Sequence, residues 1–164
     1  MSQSNNTIII ILAAGKGTRM NSDIPKVLHK INKKSMLNIV IETSKKLNPE
    51  KIIVVVGYKK ELIINTINDS SITFVNQNKQ LGTGHAIGQC LNEIKKFNGN
   101  VLILSGDVPL IKYSTLNNFI LKHNEKKTHA SLITTSIKNP KGYGRIIKNK
   151  SGQLINIVEH KDAN

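Results

Sequence analysis

The residues best suited to chemistry lie near the start of the chain, in IIIILAAGKGTRMNSDIPK from Ile8 to Lys26. Gly15-Lys16-Gly17-Thr18-Arg19 sets two cations beside two glycines, and Lys26 follows Pro25 a little further on. Glycines allow a tight turn whose backbone N–H groups point inward, and the small Ala13 and Ala14 let a ligand approach the main chain. A buried strand running into a cationic glycine turn is a way to hold a polyphosphate. Two better-known loops do not fit. The Walker pattern separates its glycines more widely and ends Gly-Lys-Ser/Thr, and the dinucleotide pattern wants a glycine where this chain has Met20.

Three further stretches carry polar groups in suggestive places. In NQNKQLGTGHA, Asn76 to Ala86, Gln77 and Gln80 can each donate and accept, which suits the edge of a base or sugar. Gly82 and Thr83 open an expected helix whose first N–H groups lack intrahelical partners. Taken alone, the stretch also reads as a polar loop with turning glycines, and His85 as a helix-terminal or core histidine. In SGDVPL, Asp107 stands just beyond an apolar run, where a carboxylate can hold Mg²⁺ together with phosphate oxygens. The competing reading is a turn aspartate ahead of Pro109. Near the end, Gly142-Tyr143-Gly144-Arg145 and then Glu159-His160-Lys161-Asp162 offer backbone N–H groups and a carboxylate to sugar hydroxyls and an amide. Spacing alone fits equally well a hairpin turn with a surface charge cluster.

The elements that must position these groups follow from periodicity. Ile8 to Leu12 has no polar alternation, as in a strand buried on both faces. Further strands are expected at Lys51 to Val56, Ile72 to Val75, Val101 to Leu104 and, by alternation, Ala130 to Ile137. Helices are expected at Met36 to Leu47, Glu61 to Asn68, Thr83 to Phe97 and Ser114 to Lys122. Leu62, Ile63, Ile64 and Ile67 should face inward. Strands interleaved with helices indicate an α/β fold, a Rossmann-like, mostly parallel sheet with helices on both faces. Ligands then sit beyond the carboxyl ends of strands, where the glycine turn and Asp107 fall.

A chain of 164 residues suits one domain or part of a larger one. The net charge of +14 comes almost wholly from Lys scattered along a chain also rich in Asn and Ile, so it reads as a solvated surface rather than a nucleic-acid footprint. Against that background Arg19 and Arg145 stand out, because Arg is the better phosphate and carboxylate fork. The single Cys90 excludes an internal disulfide framework and suits a reducing, cytoplasmic setting, as a small buried residue rather than a nucleophile. The N-terminal MSQSNNT does not read as a signal peptide, and no apolar run approaches the ~18 residues of a membrane span.

Together LAAGKGTRM, IPKVLHKI, QLGTGHA, GDVPLI, GYGRII and IVEHKDA resemble the motifs of the sugar-nucleotidyltransferase superfamily. The resemblance is closer still to the uridyltransferase domain of the bacterial bifunctional enzymes that make UDP-N-acetylglucosamine. It covers nearly the whole chain and implies a nucleotide-diphospho-sugar transferase fold. It implies formation of UDP-N-acetylglucosamine and pyrophosphate from UTP and N-acetylglucosamine-1-phosphate, a precursor step for peptidoglycan and lipopolysaccharide. Carried over by position, Leu12, Ala13, Ala14 and Gly15 would lie along the nucleotide, and Gln77, Gly82 and Thr83 would read uracil. Lys26 would hold phosphate oxygens, Arg19 the departing pyrophosphate and Asp107 the Mg²⁺, while Gly142 and Glu159 would hold the amino sugar.

Such a reaction needs little acid–base help, since the attacking phosphate oxygen is already an anion. It needs positioning and neutralisation of spreading charge. Members of this family continue beyond EHKDA. They supply a second metal ligand, an Asn, further sugar contacts, and a left-handed β-helix carrying acetyl transfer and homotrimer contacts. Residues 1–164 are therefore expected to be the N-terminal part of the pyrophosphorylase domain, without acetyltransferase activity.

Overall fold

The computed structural model describes residues 5–17, 20 and 22–162. These divide into two compact units, Met1–Ile120 and Leu121–Asn164. The first unit is an α/β layer built on β1 (Asn5–Leu12). Around it lie α1 (Met36–Lys45), β4 (Pro49–Val56), α2 (Lys60–Ile67), β5 (Ile72–Asn76), α3 (Thr83–Gly88), α4 (Leu91–Ile94) and β6 (Asn100–Ser105). A two-stranded turn, β2 (Lys30–Ile31) with β3 (Lys34–Ser35), precedes α1, and α5 (Tyr113–Lys126) contains the boundary between units.

The sheet order is β5-β4-β1-β6, and every pairing in it is parallel. β1 is central, with Ile9 opposite Ile52 on one side and Leu102 on the other. Because successive side chains of a strand point to opposite faces, its isoleucines serve two cores. Ile9 and Ile11 pack with Leu37, Val40, Ile63 and Leu116 on one face. Ile8 and Ile10 pack with Ile53, Val55, Ala86 and Cys90 on the other. All four isoleucines are at most 1% exposed, and burying each contributes about 2 kcal/mol. The expectation of a doubly covered, mostly parallel sheet is met.

Local signals explain the element ends. Ser35 caps α1, its hydroxyl accepting the Asn38 N–H at 3.2 Å. Asn32 and Lys33 both take positive φ, 47° and 71°, the conformation that closes a two-residue hairpin between β2 and β3.

Three expectations change. The helix expected over Thr83 to Phe97 is two short pieces, α3 and α4, joined by tightened turns in which Cys90 N–H donates to Ile87 O and Glu93 N–H to Cys90 O, each at 2.9 Å. Gly88 at the break disfavours continuation of an α-helix. In α2, Ile63 and Ile67 are buried and Ile64 packs, partly buried, against the same core as expected, but Leu62 is 43% exposed. Ala130 to Ile137 forms no strand. Its alternation is genuine, yet among the described residues it has no paired neighbour, and Leu132, Ile133 and Ile137 remain exposed. A strand pattern needs both a hydrogen-bonding partner and a core to face.

The second unit contains the antiparallel pair β7 (Arg145–Lys148) and β8 (Leu154–Val158), with Arg145 opposite Val158. Among the described residues no helix is long and apolar enough to cross a membrane.

Candidate functional site

At the carboxyl edge of the first unit's sheet, the main chain is stitched beyond the strand ends. Ala13 N–H donates to Val55 O at 2.8 Å, Gln77 N–H to Val56 O at 2.7 Å and Gly106 N–H to Leu12 O at 2.9 Å. These bonds hold the starts of three loops at fixed heights above the sheet. The loop after β1 is tied again by the Tyr58 N–H, which donates to Ala14 O at 3.2 Å.

Two glycines are required by close approach. At Gly17 φ is +63°, and an added Cβ would lie 2.7 Å from Lys26 Cβ. Gly17 therefore both permits the turn and lets Lys26 reach beside it. At Gly57, just past β4, a Cβ would meet Gln80 Nε2 at 2.8 Å and Ala14 Cβ at 3.0 Å. Gly57 escaped the sequence reading as a site residue, although a glycine directly after a buried strand was a signal for it.

Lys26 reaches Asp107 across the strand ends, with Nζ 2.6 Å from Oδ2 and both side chains about a third exposed. A pair this accessible contributes at most about 1 kcal/mol to stability, so its interest lies in what it places together. One cation and one carboxylate stand beside the glycine turn, open to solvent. Lys16 adds a second cation, its Nζ 5.7 Å from the centroid of the Tyr58 ring, with Lys59 at 5.6 Å from the same ring. Arg19, the other cation expected here, lies outside the described residues.

Beside this charged edge is a cavity of about 250 Å³ lined by Leu12, Ala14, Gly15, Gln77, Gln80, Gly82, Thr83 and Ala86. Leu12, Ala14, Gly15, Gln77, Gln80, Gly82 and Thr83, all expected binding residues, share this pocket with Ala86, while Ala13 is buried at 2% exposure. Gln77 is the buried polar group of the wall, 3% exposed. Its Nε2 lies 3.1 Å from Gly82 O and 3.0 Å from His85 Nδ1. Gln80 crosses the floor, its Nε2 donating to Gln77 O at 3.3 Å. An apolar slot with a few convergent polar groups, next to cations and a carboxylate, can seat a flat ring and neutralise an attached phosphate chain.

Gly142 and Glu159 belong to the second unit. Gly142 is open, at φ +85°, and a Cβ on Gly144 would stand 4.0 Å from Glu159 Oε2. The carboxylate thus sits against the glycine turn within that unit. Arg145 is spent on the same turn, its Nη1 donating to Pro140 O at 2.9 Å and also to Tyr143 O. The fork that stood out in the sequence is a structural clasp. Cys90, 0% exposed, has its thiol pushed up to about 11, first by burial and then by Glu93, which suits a packed residue and not a nucleophile.

Among the described residues, no three His, Cys, Asp or Glu side chains are grouped to share a metal ion. Asp107 alone nevertheless fits a hard divalent cation, which is commonly held by one or two carboxylates and completed by substrate phosphates.

Comparison with known proteins shows the family. A family model described as nucleotidyl transferase matches residues 8–161. The chain belongs to the nucleotidyl transferase family. It is 47% identical over 155 residues to the N-terminal region of the bifunctional protein GlmU of Streptococcus pyogenes serotype M3, covering 94% of this chain and 34% of that protein. The serotype M1 protein is 46% identical over the same span. The chain thus spans about a third of the length of these curated relatives.

Among solved structures, a putative glucose-1-phosphate thymidylyltransferase from Bacillus anthracis superposes with a TM-score of 0.73 at 21% identity, over 94% of this chain and 64% of that one. HddC from Yersinia pseudotuberculosis, complexed with GMP-PN, gives a TM-score of 0.66 at 25% identity, over 93% and 68%. A Mycobacterium tuberculosis protein solved with manganese gives 0.61 at 16% identity, over 73% and 60%. The parallel sheet with its flanking helices is the fold that these solved structures share.

Proposed function

We propose that this nucleotidyl transferase acts on UTP and N-acetylglucosamine-1-phosphate, forming UDP-N-acetylglucosamine and pyrophosphate. The observation that carries the reading is the Lys26–Asp107 pair, with Lys26 packed against Gly17 of the glycine turn, on the same unit as the cavity of Gln77 and Gln80. Its placement in a chain 47% identical to GlmU supports the choice of substrates.

In this reading the base enters the slot between Leu12, Ala14 and Gln77, with its edge toward Gln77, Gly82 and Thr83. The phosphates lie over the glycine turn, where the Lys26 ammonium and the backbone N–H groups neutralise them. Arg19 is assigned the departing pyrophosphate. Asp107 would hold Mg²⁺, which when bound screens charge accumulating on the triphosphate. The sugar phosphate oxygen attacks as an anion, so no base is assigned. Gly142 and Glu159 are assigned the amino sugar, the carboxylate accepting from hydroxyl or amide donors.

The test is pyrophosphate release from UTP and N-acetylglucosamine-1-phosphate in the presence of Mg²⁺, run beside calorimetric titration with UTP. Release above the control without sugar phosphate is the expected result, and Lys26→Ala should weaken UTP binding about tenfold. Unchanged UTP affinity in that variant would remove Lys26 from the site. A second reading, nucleotide binding without turnover, is favoured by one observation: among the described residues no group of three His, Cys, Asp or Glu side chains forms around Asp107 to hold a metal. UTP binding without pyrophosphate release would select it.

A further inference from the structure

The wall of the cavity contains a hydrogen-bond relay whose polarity can be worked out atom by atom. Gly82 O is a backbone carbonyl and can only accept, so the Gln77 side-chain atom 3.1 Å from it must be the amide nitrogen. The same nitrogen lies 3.0 Å from His85 Nδ1. It has two hydrogens, and one directed at each neighbour uses both. His85 Nδ1 must then accept, which places the imidazole hydrogen on Nε2. The Gln89 amide nitrogen stands 3.3 Å from Nε2 and 3.4 Å from His85 O, so on this assignment its hydrogen goes to that carbonyl and not to the ring. With both N–H bonds engaged, the polar atom that Gln77 retains for the cavity is Oε1, for which the described residues provide no partner.

We propose that His85 is a positioning residue for base selection. Together with the Gly82 carbonyl it locks the Gln77 amide so that the cavity meets an acceptor and never a donor. This rests on the reading of the cavity as a uridine-base site. An acceptor fixed at that wall faces the imino N–H of uracil and pairs with it. Cytosine carries a lone pair at the same ring position, and two acceptors then oppose each other. Without His85, reversal of the amide costs a clash with one carbonyl; with it, reversal sets Oε1 against two lone pairs. Discrimination comes from leaving a wrong ligand unpaired rather than from extra attraction to the right one.

The experiment is calorimetric titration of the full chain with UTP and with CTP, in wild type, His85→Leu, His85→Asn and Gln77→Leu. Leu keeps bulk and removes the acceptor, and the Asn side-chain oxygen can stand in for Nδ1. The expected result is a UTP preference that narrows about tenfold in His85→Leu, mainly through weaker UTP binding, and returns in His85→Asn. A merely structural role would weaken both nucleotides together and leave their ratio intact, which would overturn the proposal. So would an unchanged ratio in His85→Leu while Gln77→Leu abolishes it. An unchanged ratio in Gln77→Leu would instead show that the cavity does not read uracil, and the proposed function would fall first. A nitrogen-15 spectrum of the wild-type imidazole needs no variant: a hydrogen on Nε2 is expected, and one on Nδ1 would sink the lock.

Discussion

The two units position their candidate residues by different means. In the first unit Gln77, Lys26 and Asp107 stand on loops rooted in a four-stranded sheet whose central isoleucines are wholly buried. In the second, Gly142 and Glu159 stand beside a two-stranded ladder, with Leu154, Ile155 and Ile157 exposed by 44 to 63%. The first gains its geometry from burial, which many residues share. The second gains it from local bonds such as the Arg145 clasp, and a two-stranded ladder by itself is only marginally stable. A site that must hold a ring and a phosphate chain to within a fraction of an ångström is better served by the former.

The sharpest test of that contrast uses one substitution in two places. Ile10→Ala opens a hole between two strands and a helix layer and should cost about 2–5 kcal/mol in urea unfolding. Ile155→Ala should change stability by less than about 0.5 kcal/mol. Equal effects would show that the second unit has a core of its own weight. For chemistry, Asp107→Asn should lower pyrophosphate release about a hundredfold or more while UTP-free stability is retained. Glu159→Gln should raise KM for the sugar phosphate and leave UTP affinity alone; a parallel loss of UTP affinity would contradict the division of roles.

Arg145→Ala should cost about 1 kcal/mol, felt as faster amide exchange across Pro140 to Tyr143 and nowhere in the first unit. The smallest effect concerns acid. The ammonium of Lys45, 2.6 Å from Asp69, and then Ser71 hold the Asp69 carboxyl down to about 2. A carboxyl lowered in the folded state stabilises above its ordinary value near ~4, and that stability is lost as pH falls toward 2. The difference between wild type and Asp69→Asn, below about 1 kcal/mol after solvent screening, should therefore vanish across that window. A difference that persists at pH 2 would assign it to packing.

Much of the fold was legible because β1, β4 and the glycine turn carry their signal locally. An unbroken run of β-branched residues can be satisfied only in the middle of a covered sheet. Ala130 to Ile137 shows the opposite case, since its alternation states a preference that nothing among the described residues satisfies. The break at Gly88 to Cys90 was likewise invisible, because an apolar helix pattern does not say where a turn tightens.

By itself the sequence determined the alternation of strand and helix, the cationic glycine turn, the carboxylate beyond β6 and the membership in a nucleotidyl transferase family. Each depends on residues near one another in the chain, where residue type and spacing limit what the backbone can do. Only the tertiary structure decided that Lys26 reaches Asp107, that Gly57 must be small for Gln80 and Ala14, and that the Gln77 amide nitrogen lies within 3.1 Å of both Gly82 O and His85 Nδ1. The Lys26–Asp107 and Gly57 contacts join segments whose separation the fold alone closes, and a few tenths of an ångström there decide whether the atoms fit.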